Sequence, residues 1–294
     1  MDRLKPTNDY IFKKIFGSKK NTLLLKDLLQ SILTDITIYE VKIDKDVTLE
    51  RQQITNKLGI LDVVATLDDK TKVNIEMQVK GYDNTVDRSV FYETGLFHES
   101  LNSGEDYLDI PRIISIWITD FDVFDEGPFH ERARLKRDYE NIILTDKVEI
   151  HYIQLPKFRK RYKRVSNKLR DKLEDWLTFI ENEDVEAIRM IDNEYIQKAE
   201  DEFEYLTGDA AERRLAQLRE KAIRDNAANL KCATRKGIEQ GLKQGIKQGI
   251  KQGLEQGHKE AKIETAKKML AKNLPIETII EVTELSKEEI EKLQ

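Results

Sequence analysis

The chain has 294 residues, enough for one large domain or two smaller ones, with 39% hydrophobic and 36% charged residues. Its longest apolar stretches, such as residues 113–119, have the length of a strand and exclude a membrane helix, which needs about 20 apolar residues. A formal net charge of −5 does not advertise a nucleic-acid binder, although phosphate contacts depend on local patches rather than on the total.

The start of the chain, through Pro6, lacks the apolar run of a signal peptide, and the single cysteine, Cys232, cannot form an intramolecular disulfide. Both fit a reducing cytoplasm, which is the expected location. Asn8 or Asp9 can cap a helix over residues 10–16, and residues 23–33 have helical apolar spacing. Residues 60–67 and 71–80 read as a hairpin around an Asp68-Asp69 turn. Residues 87–101 read as a helix whose apolar face is Val90, Phe91, Thr94, Phe97 and Leu101. Residues 112–120 and 148–155 read as buried strands, the second stopped by Pro156. The expected fold class is α/β, a mixed sheet flanked by helices.

Residues 157–170 carry eight positive charges and no acid, with Phe158 and Tyr162 interleaved. Two readings stand for this run: a phosphate-binding patch built on Arg159, Lys160, Arg161, Lys163 and Arg164, or a solvated helix start. From residue 166 to about 236 the pattern is helical and free of proline, with Trp176, Phe179, Ile180, Ile188 and Ile191 as core positions.

Six glycines, Gly237 to Gly257, then recur every four residues, each but the last followed by Ile or Leu. A four-residue helical step turns about 400°, so each glycine drifts about 40° from the one before. Six helical glycines cost about 5 kcal/mol relative to alanine. The repeat is therefore either a linker or a helix packed closely on another copy of the chain. The tail reads as three short helices, residues 263–272, 276–283 and 287–293, with Pro275 opening the second and a Ser286/Glu289 capping box opening the third. Its acidic last helix suits a protein-interaction module better than a DNA reader.

The hairpin carries the chemistry. Asp62 interrupts the apolar run of residues 60–64, where an ionised carboxylate is costly unless something pairs with it. Strand alternation puts Glu76, Gln78 and Lys80 on one face of the facing run. Paired across the turn, Asp62 and Glu76 come close, and a hard divalent cation such as Mg²⁺ or Mn²⁺ relieves their repulsion. Spacing alone leaves the alternative open, a surface hairpin with its polar face outwards. His98, His130, His151 and His258 show no zinc-ligand spacing, and no Walker loop or Ser-His-Asp arrangement is present.

Several ordered blocks carry a resemblance. They are residues 6–13 (PTNDYIFK), Leu61-Asp62-Val63, Asn74-Ile75-Glu76-Met77-Gln78, residues 87–92 (DRSVFY), residues 104–107 with Ile110-Pro111, and Glu149-Ile150-His151 leading to residues 155–158. In this order the chain, from about Pro6 to the glycine repeat, resembles the Rpn family of recombination-promoting nucleases, within the PD-(D/E)XK superfamily.

The resemblance implies a restriction-endonuclease-like sheet and a metal-dependent DNA endonuclease linked to recombination or mobile elements. It implies Asp62 and Glu76 as ligands of Mg²⁺, with Mn²⁺ or Ca²⁺ as substitutes, and the Met77 carbonyl as a third. Gln78 stands where the superfamily has lysine, so it is expected to orient the attacking water, with Lys80 restoring the charge or simply facing solvent. Asp9 is an accessory acid or a helix cap; Arg88 and Tyr92 touch phosphate or the carboxylates, with core packing the alternative for Tyr92.

The expected organisation is a nuclease core over residues 1–165, a helical extension over 166–236, the repeat over 237–257 and a three-helix interaction module over 258–294. The expected partners are DNA and, through the C-terminal helices, a second copy of the chain. The rival reading is a catalytically weak nuclease fold kept for DNA binding or regulation.

Overall fold

A computed structural model describes residues 4–44, 63–81, 84–101, 104–162, 170–182 and 184–293. The chain divides into two compact units, Met1–Ile223 and Arg224–Gln294. The first is built on a six-stranded sheet in the order β1-β2-β3-β4-β6-β5. The strands are β1 (Val41–Ile43), β2 (Val63–Leu67), β3 (Lys72–Gln78), β4 (Ile113–Thr119), β5 (His130–Arg134) and β6 (Val148–Gln154). Strands β1, β2 and β3 pair antiparallel, β3, β4 and β6 run parallel, and β5 closes the far edge antiparallel. This is the expected α/β class, a mixed sheet flanked by helices.

The β2–β3 hairpin forms where the sequence puts it. Its turn is held by Asp69, which accepts from the Thr71 main-chain N–H at 2.8 Å and the Thr71 hydroxyl at 2.9 Å. Lys70 takes the left-handed conformation there, φ 70°. The described ladder runs from Thr66↔Lys72 to Val63↔Ile75. Residues 60–62 of the expected strand, Asp62 included, lie outside the described residues.

The two faces of this sheet are packed differently. On the first face, Val73, Ile75 and Met77 of β3 join Ile114, Ile116 and Ile118 of β4 and Ile153 of β6 in one apolar cluster. Helices α1 (Asp9–Phe16) and α2 (Thr22–Ile32) contribute Tyr10, Ile11, Phe12, Ile15, Phe16, Leu24, Leu25, Leu28 and Leu29 to that cluster. Asn8 is the cap of α1, accepting from the N–H groups of Tyr10 and Ile11 at 3.1 and 3.3 Å. Each fully buried Ile, Leu or Phe contributes about 1.5–3 kcal/mol, so this face supplies most of the unit's stability.

On the second face lies α3 (Thr85–Glu99), packed on β4 and β6. It does not bury the side that its apolar residues suggest. Val90 and Phe91 are 46% and 72% exposed, while Thr85, Ser89, Glu93 and Leu96 are buried. The reason lies in the sheet beneath. Ser89 shares a 2.5 Å hydrogen bond with the Tyr152 hydroxyl, and Ser115 Oγ donates to Glu93. Polar groups on the strands need polar partners once covered, and that requirement outweighs the burial of two apolar side chains.

After β6 the chain enters α4 (Leu155–Tyr162) directly, so Pro156 sits in a helix's first turn as well as ending the strand. Helices α5 (Lys172–Glu181), α6 (Val185–Arg189) and α7 (Glu194–Gly208) follow, with Trp176, Phe179, Ile180, Ile188 and Ile191 buried as their spacing indicates. Helix α8 (Ala210–Leu270) is 61 residues long and contains the boundary between the two units. Its first turns close over α1: Glu212 accepts from the Tyr10 hydroxyl at 2.5 Å, and Ala216 is buried.

Within the second unit the glycine repeat is helical and lies wholly inside α8. A Cβ added at any of its six glycines meets nothing within 4 Å, and Ile238, Leu242, Ile246, Ile250 and Leu254 are 55–67% exposed. The first expected tail helix is the end of α8. Helices α9 (Ile276–Thr283) and α10 (Lys287–Glu291) fold back on it through Ala266, Ile279, Leu285 and Ile290. Pro275 is the cap of α9 rather than its first residue, and the Ser286/Glu289 capping box is present.

Candidate active site

Strand β3 sets the site. Its alternation sends Val73, Ile75 and Met77 into the apolar core and leaves Asn74, Glu76 and Gln78 on the α3 face. In the parallel ladder Glu76 lies beside Trp117 and Gln78 beside Thr119. The Glu76 side chain is enclosed, its residue only 3% exposed, and its Oε2 accepts from the Gln78 side-chain amide at 3.2 Å. Lys80 is half-buried just past the strand's end.

Helix α3 brings the next two expected residues to the same face. Tyr92 stacks on Trp117 at 6.1 Å between ring centroids with planes 15° apart. The Arg88 guanidinium lies over both rings, 5.6 Å from Tyr92 and 5.8 Å from Trp117. Such cation–π contacts help to hold a guanidinium in place. Tyr92 therefore packs and also seats Arg88.

Glu93, one residue on, is a group the sequence reading passed over. Burial pushes its carboxyl up to about 7, with the like charge of Glu149 adding to the rise and hydrogen bonds from Ser115 and the Glu149 N–H opposing it. Asn74 was also passed over. It is fully buried, and its side-chain Nδ2 and Oδ1 have no hydrogen-bond partner among the described residues; the Trp117 Nε1 is in the same position. The signal for both was present: polar side chains at alternate strand positions, opposite a helix face carrying Ser and Glu.

The remaining expected site residues are elsewhere. Asp9 is in the first turn of α1, 6% exposed, with its Oδ2 accepting from Arg219 Nε of α8 at 2.6 Å. It is not the cap of that helix. The described cations of the basic run are engaged with acids. Arg159 bridges Asp120 at 2.7 Å and Glu181 at 2.9 Å, Lys160 pairs with Asp122 at 3.4 Å, and Arg161 with Glu174 at 2.5 Å. Lys163 and Arg164 lie outside the described residues. Sequence proximity made this run look like a free patch; the acids that meet it come from β4's end and from α5, distant in sequence.

The histidines, too, are closer than their spacing suggested. His130 Nε2 and His151 Nδ1 are 2.8 Å apart, and His151 Nε2 reaches Glu149 Oε1 at 2.6 Å. Burial, with His151 and Arg132 nearby, pushes His130 down to about 4. Among the described residues no cluster of three His, Cys, Asp or Glu side chains is placed to hold a metal ion.

A hairpin feeding a buried glutamate into a sheet whose third and fourth strands are parallel is a specific arrangement. Over residues 6–233 the chain matches the family model described as PD-(D/E)XK nuclease family transposase. The chain belongs to this family. No curated protein and no solved structure gives a significant match. Membership brings a nuclease enzyme and DNA as substrate at the level of the family, whose members typically use a divalent metal. No described helix is long and apolar enough to cross a membrane.

The donor set suits such an ion. Glu76 offers carboxylate oxygens, Gln78 offers an amide oxygen, and the Met77 carbonyl lies between them in sequence. Hard oxygen donors of this kind favour Mg²⁺ or Mn²⁺ over softer metals.

Proposed function

We propose that the chain is a metal-dependent DNA endonuclease that hydrolyses phosphodiester bonds in recombination or mobile-element processing. The observation that carries this reading is Glu76, a carboxylate only 3% exposed beside the Gln78 amide at 3.2 Å. Asp62 directly precedes Val63 in the sequence, and Glu76 directly follows Ile75, Val63's partner across the hairpin. In this reading the hairpin register continues by one step and pairs Asp62 with Glu76.

In this reading Asp62 and Glu76 hold Mg²⁺, with Mn²⁺ or Ca²⁺ as substitutes and the Met77 carbonyl as a third ligand. Bound there, the cation neutralises charge on the phosphate and activates water for attack. Gln78, an amide rather than the lysine of the wider superfamily, orients the attacking water by hydrogen bond. Lys80 supplies positive charge at the same strand end. Arg88, seated on Tyr92 and Trp117, contacts a phosphate oxygen. Asp9 acts as an accessory acid by exchanging its partner Arg219.

Plasmid nicking tests the proposal. Wild type is expected to nick supercoiled DNA with Mg²⁺ or Mn²⁺ and to stop in EDTA, while Asp62→Ala and Glu76→Ala do not cut. Wild-type rates in either variant would overturn it.

One observation favours a second reading, a DNA-binding or regulatory protein on a weakened nuclease fold. Arg159, Lys160 and Arg161 already pair with acids, and the net charge is −5. Duplex binding in EDTA with no cleavage under any cation would select that reading. If Arg159, Arg161 and Arg164 do contact phosphates, neutralising each flattens the salt slope of log K by about 0.9.

We also propose that the chain assembles with a second copy through the repeat of α8, which exposes glycines and a parallel stripe of Ile and Leu. The single exposed cysteine, Cys232, is consistent with a reducing cytoplasm as its place of work.

A further inference from the structure

The α3 face of β3 and β4 contains polar atoms that no described residue answers. Asn74 is 0% exposed, and neither its Nδ2 nor its Oδ1 has a hydrogen-bond partner among the described residues. Trp117, also 0% exposed, has an indole Nε1 in the same state. Leaving buried donors and acceptors unmade is expensive, and a folded protein tolerates it where something else answers them.

Their placement is specific. Asn74 is two residues before Glu76 on the same face of β3, and Trp117 is the direct neighbour of Glu76 in the parallel ladder. Asn74 is itself the ladder neighbour of Ser115, whose hydroxyl donates to Glu93. The unanswered atoms thus lie on Glu76's own strand and on the strand beside it, next to one buried carboxylate, and Ser115 links the set to another, Glu93.

The chemistry of the set selects its occupant. Two N–H donors, from Asn74 and Trp117, repel a bare cation. The carboxyl groups of Glu76 and Glu93 repel an anion. A water molecule accepts from the N–H groups and donates to the Asn74 carbonyl and to a carboxylate oxygen. Buried waters typically make about three such bonds.

We propose that Asn74 and Trp117 are positioning residues that hold ordered water against Glu76 and so fix the carboxylate in the orientation it needs to bind a divalent cation. The inference rests on the reading of Glu76 as a cation ligand. Groups that orient a metal ligand from behind typically govern affinity by about 10- to 100-fold.

The test is Mn²⁺ binding to the full-length protein without DNA, followed by electron paramagnetic resonance, for Asn74→Leu, Trp117→Phe and Glu76→Gln. Asn74→Leu keeps the volume and removes both amide atoms; Trp117→Phe removes the indole N–H and keeps an aromatic ring. Each is expected to weaken Mn²⁺ binding about 10- to 100-fold. The metal-free melting temperature of Asn74→Leu should stay near wild type, since the amide and the water it holds are replaced together by apolar atoms of similar volume; a residue of purely structural value would lower it and leave affinity alone. If Glu76→Gln abolishes binding while both other variants bind like wild type, the positioning role is wrong and the ligand assignment survives. If Glu76→Gln binds like wild type, both fall. Should Asn74→Leu fail to fold, wild-type affinity in Trp117→Phe alone overturns the inference.

Discussion

The two faces of the central sheet each bury a carboxylate, and the two carboxylates are treated in opposite ways. On the α1/α2 face Glu149 is 1% exposed and lies 3.1 Å from Arg112, 3.7 Å from Arg132 and 2.6 Å from His151. Burial raises its carboxyl, but the His151 hydrogen bond and the charges of His151, Arg112 and Arg132 outweigh that and hold it down at about 2. On the α3 face Glu93 is just as enclosed, yet its hydrogen bonds come from the Ser115 hydroxyl and the Glu149 main-chain N–H, and burial leaves it at about 7. One face compensates its charge with fixed cations inside an otherwise apolar core. The other buries Glu93 among neutral hydrogen-bond donors on the face that also carries Glu76, and strongly shifted carboxyl groups of this kind gather at functional sites.

Two adjacent residues of β3 separate these faces most sharply. Glu76→Ala is expected to abolish metal-dependent cleavage while the metal-free protein melts at or above the wild-type temperature, because a buried carboxylate has been removed. Ile75→Ala, one residue away and 0% exposed in the apolar cluster, should cost about 2–5 kcal/mol of stability. Its cleavage rate per folded molecule should stay near wild type. Chemical denaturation beside plasmid nicking reads both quantities. A stable, active Ile75→Ala, or a Glu76→Ala that unfolds, would erase the distinction.

How much of this was legible in the sequence follows the same divide. The apolar face was readable because alternation and helical spacing are local: β4, β6, α2 and the core positions Trp176, Phe179 and Ile188 lie where their patterns put them. The α3 helix was legible in extent but not in orientation. Val90 and Phe91 look like a buried stripe, and only the sheet beneath, with Ser115 and Tyr152, explains why Ser89 and Glu93 turn inward instead. The pairing of His130 with His151 comes from β5 and β6 running antiparallel, which no spacing of 21 residues announces. Likewise Asp120, Asp122, Glu174 and Glu181 neutralise the basic run only once the chain has folded. Glu76 and Gln78 were legible as a pair because two residues apart on a strand is a local relation.

Glu93 gives the comparison a pH signature. Its folded-state value of about 7 lies above the unfolded 4.5, so the folded chain holds the proton more tightly. Stability should therefore fall as pH rises from about 4.5 to about 7, by on the order of 3 kcal/mol for this group. Glu93→Gln removes the titration and should flatten the melting temperature across that window. For Glu149 the sign is reversed. Its value of about 2 gives stability that is present above 4.5 and lost as pH falls toward 2. Thermal melts of wild type, Glu93→Gln and Glu149→Gln at closely spaced pH values read both slopes, and equal slopes in wild type and Glu93→Gln would remove the contrast between the faces.

The smallest expected effect concerns α8, where packed and open stretches share one helix. Near its start Arg219 and Glu212 are tied to Asp9 and Tyr10; along the repeat each glycine is open and Ile238 to Leu254 are 55–67% exposed. Glycine within a helix costs about 1 kcal/mol relative to alanine, so an unpartnered repeat should gain helicity from any larger residue. A repeat packed on another copy should behave differently, because small residues let two backbones approach and a bulky side chain holds them apart. Gly245→Leu with Gly249→Leu therefore divides the alternatives. If the repeat mediates assembly, the double variant is more helical by circular dichroism yet lighter by light scattering. Gly245→Ala with Gly249→Ala should fall between, with part of the assembly kept. A wild type that is monomeric at all concentrations, or a leucine variant of unchanged mass, makes the repeat a spacer and ends its proposed role in self-association.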